Sequence, residues 1–120
     1  MPSDFKDLRV WKQSMNLAKL IYGFVQHLPR EERWNLSDQL RRCSVSVPSN
    51  IAEGQASGTP ANFLRHIRIA RGSLAEMETQ LLLVQELQLT TIPIPREVWT
   101  ELTICRKGLI NLEKHLEKKR

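Results

Sequence analysis

Guanidinium groups at helical spacing are the clearest chemistry in this sequence. Arg41 and Arg42 stand side by side, and Arg65, Arg68 and Arg71 follow one another at steps of three. A guanidinium presents a planar fork of donors that matches phosphate oxygens, so these five residues are the candidate contacts to a nucleic-acid backbone. Pairing with acids competes with that role. In an antiparallel hairpin turning near residue 58, Arg41 and Arg42 fall level with Glu76 and Glu78, and Glu53 falls level with Arg65. Exposed pairs of that kind contribute no more than ~1 kcal/mol each. Arg65 and Arg68 outnumber the acids near them in this register. Lys114, Lys118, Lys119 and Arg120 either extend the basic surface or form a solvated, frayed helix end.

A catalyst's constellations are missing. His27, His66 and His115 have no His or Cys at metal-ligand spacing, and they read as solvated or capping residues. Cys43 and Cys105 fall in apolar rows and read as small buried hydrophobes. There is no P-loop, no dinucleotide-binding glycine pattern and no Glu-x-x-His pair of the di-iron bundle type. The expectation is a protein without enzymatic activity, metal or cofactor. Trp11 sits in the apolar row of the first helix and reads as packing. Trp34 and Trp99 lie at helix beginnings, where packing competes with an interface or base-stacking role.

Composition sets the frame for these residues. The 120 residues make one domain, 1–120, with 41% hydrophobic residues, enough for a core. Eighteen Lys and Arg against thirteen Asp and Glu give a net charge of +5, which permits phosphate-bearing or acidic partners. Two cysteines do not staple a secreted scaffold. The N-terminus, Met1-Pro2-Ser3-Asp4-Phe5-Lys6-Asp7, lacks the apolar run of a signal peptide, and no stretch is long enough to span a membrane. A cytoplasmic protein without membrane contact is expected. Residues 59–75 carry Arg65, Arg68 and Arg71 without an acid, whereas 76–95 carry Glu76, Glu78 and Glu86 without a base.

Four elements must position the candidates, at approximately 7–28, 35–57, 60–89 and 95–117. In the first, Leu8, Trp11, Met15, Ala18, Ile21 or Tyr22, Val25 and Leu28 recur at steps of three and four, with Val10, Leu17 and Phe24 beside them. The combined apolar surface spans roughly 220° of the helical wheel, too wide for one covered side. Pro29 ends the element. The second starts at Asn35, a cap with Asp38 three residues on, and runs Leu36, Leu40, Cys43, Val47, Ile51. Pro48 lies inside it and predicts one kinked helix, the alternative being two short helices with a joint at Ser46–Pro48. Gly54, Ser57 and Gly58 supply its stop. Thr59-Pro60 starts the third helix, which runs Phe63, Ile67, Ala70, Leu74, Met77, Leu81, Val84, Leu87, with Gly72-Ser73 small enough for close helix approach. Val98, Leu102, Cys105, Leu109, Leu112 and Leu116 line the fourth. The fold class is therefore all-α, an antiparallel up-down-up-down four-helix bundle with helix 2 kinked at a proline.

The run from Gln39 through Arg41-Arg42-Cys43-Ser44-Val45-Ser46-Val47-Pro48-Ser49-Asn50-Ile51-Ala52-Glu53-Gly54 resembles a known family. That family comprises the bacterial four-helix-bundle proteins of 23S ribosomal RNA intervening sequences. Phe5-Lys6-Asp7-Leu8-Arg9-Val10-Trp11, Phe63 and the stretch Ile69 to Leu81 extend the resemblance to residues 5–116. Cys43 and Ser44 depart from its usual alanines, and Asn35 from its usual glycine. The resemblance implies an up-down bundle assembling into a homopentamer with a basic surface. It also extends to the accessory variability proteins of diversity-generating retroelements, which accompany a reverse transcriptase and bind nucleic acid. The expected function is an oligomeric protein that binds RNA or an RNA–DNA hybrid through backbone electrostatics. Its partners would be its own copies, a nucleic acid and, in the retroelement setting, a reverse transcriptase. The competing expectation is a non-catalytic protein-interaction scaffold whose basic residues only solubilise it.

Overall fold

The structure, a computed structural model, describes residues 4–119. Its helices are α1 (Arg9–Val25), α2 (Leu36–Ala56), α3 (Pro60–Glu86) and α4 (Arg96–Glu117), with 3-10 turns at Phe5–Asp7 and Arg30–Glu32 and no strand among the described residues. Each of α1 and α3 packs against both α2 and α4, so the four helices close around one core. Contacts between Gln39 and Gln80, Ser46 and Ser73, and Asn50 and His66 run in opposite chain directions, which makes α2 and α3 antiparallel. Arg68 with Glu117 and Arg106 with Glu78 do the same for α3 and α4. The chain is an all-α four-helix bundle.

The apolar rows of α2 and α4 are buried along Leu36, Leu40, Cys43, Val47 and Ile51 and along Val98, Leu102, Cys105, Leu109 and Leu116. α1 departs from its expected face. Its buried stripe is Val10, Ser14, Leu17, Ile21, Phe24 and Val25, while Trp11, Met15 and Ala18 are half-buried and Tyr22 is exposed. Ser14 is the reason the stripe was hidden: its hydroxyl donates to the Trp11 carbonyl at 2.8 Å, and a hydroxyl satisfied on its own helix can be buried. α1 is also shorter than the apolar period, because the amides of His27 and Leu28 bond three residues back and tighten the chain into a turn before Pro29.

Helix ends follow local hydrogen bonding. Asn35 does not cap α2 with its own side chain. Glu32 does so instead, its Oε1 accepting from the Leu36 amide and the Asn35 side chain. α2 runs unbroken through the buried Pro48. Thr59 caps α3 by accepting from the Asn62 amide, with Pro60 following in the first turn. Leu87 lies one residue past the end of α3 and is 59% exposed, not part of the core row. The small pair on α3 divides: Ser73 is buried and meets Ser46 of α2 at 2.8 Å, as a close approach there requires, but its neighbour does not take part. Gly72 faces open space, and the tightest backbone approach of α2 to α3 at a glycine is at Gly54, where an added Cβ would stand 2.7 Å from His66 Cβ. Gly54 is thus a contact inside α2, and the turn itself is made by Gly58 at φ 85°.

Candidate nucleic-acid interface

A seam of polar side chains runs between α2 and α3. His66, Ser73 and Gln80 recur every seven residues along α3 and are all buried. They meet Asn50, Ser46 and Gln39 of α2 at 3.0, 2.8 and 3.2 Å. Nδ1 of His66 donates to Asn50 Oδ1, which leaves Nε2 to accept from the Arg65 guanidinium at 3.3 Å. Glu53 Oε2 lies 3.6 Å from the same Nε2. His66 is therefore a buried member of the α2–α3 contact, not a solvated or capping residue. The seven-residue polar spacing was its signal in the sequence.

The five candidate arginines do not form one cluster. Arg68 and Arg71 lean toward α4, where Arg68 donates to Glu113 and Glu117 at 3.4 Å each and Arg71 donates to Glu113. The Arg71 hydrogen bond, joined by the charges of both arginines, holds the Glu113 carboxyl below its ordinary value. The expectation that Arg68 stays free of acids is corrected: its partners come from α4, the neighbour on the far side from Glu53. Arg65 donates to the His66 ring, has no ion-pair partner among the described residues and, with Arg68, Asn62 and Ile69, lines a shallow depression on the outer face of α3. Arg42 pairs with Asp38 on its own helix at 3.3 Å, and Glu78 pairs with Arg106 of α4 instead of with α2. Arg41 has no acid within ion-pair distance among the described residues. It shares a groove with Tyr22, Arg42 and Ser49.

Charge summed by helix shows a second surface. α2 sets Asp38 and Glu53 against Arg41 and Arg42, α3 sets Glu76, Glu78 and Glu86 against Arg65, Arg68 and Arg71, and α4 likewise balances Arg96, Arg106, Lys107 and Lys114 with Glu97, Glu101, Glu113 and Glu117. α1 carries Arg9, Lys12 and Lys19 and no acid. All three are exposed, and none has an ion-pair partner among the described residues. Arg9, Lys12 and Lys19 stand outside any paired or three-spaced run of arginines, and the lack of an acid anywhere from residue 8 to residue 30 was their signal in the sequence.

The remaining candidates carry less chemistry. Burial pushes the Cys105 thiol up to about 12 and raises that of Cys43, whose neighbour Glu76 adds to the effect, so both stay protonated at neutral pH. Among the described residues no three His, Cys, Asp or Glu side chains gather as a metal site. Trp11 packs edge-on against Phe5 at 5.3 Å, and Trp99 packs against the core, whereas Trp34 is 83% exposed with the Arg33 guanidinium over its ring. Of the C-terminal bases, Lys114, Lys118 and Lys119 are exposed, and Arg120 lies outside the described residues, as do Met1, Pro2 and Ser3. No helix is long and apolar enough to cross a membrane among the described residues.

The family model described as 23S rRNA-intervening sequence protein matches residues 6–111. The chain belongs to that family. No curated protein matches it. In this 23S rRNA-intervening sequence protein, the matched stretch takes in the α1 cations and all five arginines. Glu113 and Glu117, which engage Arg68 and Arg71, lie just beyond it.

Proposed function

We propose that this protein binds RNA, or an RNA–DNA hybrid, as a cytoplasmic homo-oligomer, through phosphate contacts and without catalysis. The observation that carries the reading is a group of cations with no ion-pair partner among the described residues: Arg9, Lys12 and Lys19 on α1, Arg41 on α2, and Arg65, which donates to the His66 ring. Cations committed to carboxylates have part of their field cancelled, whereas uncommitted ones release counterions when a phosphate arrives. Arg42, Arg68 and Arg71 are secondary contacts on the same logic. Family membership points to RNA as the first ligand to test, with a 23S rRNA intervening sequence as its source. As an accessory subunit of a retroelement reverse transcriptase, the protein would use the same surface on nucleic acid held by the polymerase. A pentamer is the proposed assembly, and the mass of the purified protein in solution tests it.

Binding of a structured RNA across a salt series tests the function. Affinity should fall log-linearly with salt and show little sequence preference. Arg65→Glu should weaken every sequence alike. A change in base preference with affinity kept would contradict a backbone mechanism. A second reading, a protein-interaction scaffold, draws on the exposed Leu82, Leu83 and Leu87 at the C-terminal end of α3. It predicts that Arg65→Glu changes no nucleic-acid affinity while Leu83→Glu disrupts assembly.

A further inference from the structure

One groove on the flank of α1 and α2 joins an aromatic ring to cations. Tyr22 follows the fully buried Ile21, so it projects roughly 100° around α1 from the core. Its ring is 45% exposed and shares the groove with Arg41, Arg42, Val45 and Ser49. Asp38 on the rim is taken by Arg42, which leaves Arg41 uncommitted. Lys19, one turn before Tyr22 on α1, is exposed and has no ion-pair partner among the described residues. A flat π-face with one uncommitted cation in its groove and a second one helical turn away on α1 suits a base with its neighbouring phosphates. Duplex bases are already stacked on one another and cannot present a face to a side chain, whereas unpaired bases can. Trp34 is more exposed, but the Arg33 guanidinium stands over its ring at 5.8 Å.

Resting on the nucleic-acid binding proposed above, we infer that this groove takes an unpaired nucleotide of a single-stranded segment. Its base stacks on Tyr22, and its phosphates are met by Arg41 and Lys19. The protein thereby prefers single-stranded to duplex RNA, with little regard for which base is stacked.

Fluorescence anisotropy with a labelled single-stranded RNA and the duplex of the same sequence tests this at fixed salt. The intact protein should bind the single strand more tightly. Tyr22→Ala should lose about tenfold on the single strand and leave the duplex and the salt slope unchanged. Tyr22→Phe, which keeps the π-face, should bind as the unaltered chain does, and so should Trp34→Ala. Equal loss on both RNAs, no loss at all, or a loss with Trp34→Ala in place of Tyr22→Ala would overturn the stacking site while leaving nucleic-acid binding intact. A change in oligomer mass on Tyr22→Ala would overturn it too, because the groove would then be covered by a second copy. Failure of the unaltered protein to bind either RNA would overturn the proposed function and the groove with it.

Discussion

Gln88 occupies a backbone position that a residue with a side chain seldom takes. At φ 51° it ends α3, and the amides of Gln88 and Leu89 bond back to Gln85 and Val84. That pairing satisfies the last carbonyls of the helix in the manner usually reserved for glycine. The left-handed conformation costs a side-chain-bearing residue about 1 kcal/mol or more. Gln88→Gly should therefore stabilise the fold by about 0.5–1 kcal/mol in chemical denaturation, after the added freedom of glycine in the unfolded chain is set against the relief. Glu113 gives a pH prediction at the same scale. Its folded carboxyl titrates below its ordinary 4.5, so the stabilisation is present above that value and is lost as the pH falls through the lower folded one. Glu113→Gln should cost about 1 kcal/mol at neutral pH and flatten this part of the acid limb in a stability-versus-pH profile. Neither the Glu113 site nor the buried His66 was legible residue by residue. Arg71 and Glu113 lie 42 positions apart in sequence, and which of its two neighbouring helices an arginine leans toward depends on packing that a linear pattern does not contain.

Elements were far more legible than their contacts. Apolar periods of three and four residues marked all four helices, and the rows of α2 and α4 are the buried ones, since there the core stripe is continuous and apolar. In α1 the period alone left two adjacent rows in competition, and only the neighbours decide which one faces inward. The α2–α3 contact was legible in part for a related reason: Ser73 of the small pair does meet Ser46 of α2, but a linear pattern does not show that Gly72 points away and Gly54 inward. Two substitutions separate these positions. Gly54→Ala would press a methyl 2.7 Å from His66 Cβ and 3.3 Å from the Phe63 backbone, and should cost about 1–3 kcal/mol in denaturation. Gly72→Ala, exposed in mid-helix with nothing within 4 Å, should gain about 0.5–1 kcal/mol. Equal effects at the two sites would contradict the placement of the close approach.

At the scale of the whole molecule the excess positive charge has an address. α2, α3 and α4 are each internally balanced, and α1 is not. A net charge of +5 by itself describes solubility as readily as binding. Three unbalanced charges on α1 and three more at Lys118-Lys119-Arg120 carry that excess, and the α1 cations, with Arg41 and Arg65, have no ion-pair partner among the described residues, which favours phosphate. The most direct measurement is the anisotropy of a labelled single-stranded RNA across a salt series, for the intact protein and for Lys12→Glu, Lys19→Glu and Arg68→Glu. The account predicts a straight log–log dependence with a slope of about −0.7 per phosphate met. Each lysine variant should flatten that slope by about one contact, and Arg68→Glu should change it less, because Arg68 is engaged by Glu113 and Glu117. No binding at low salt, or a slope indifferent to Lys12 and Lys19, would contradict it.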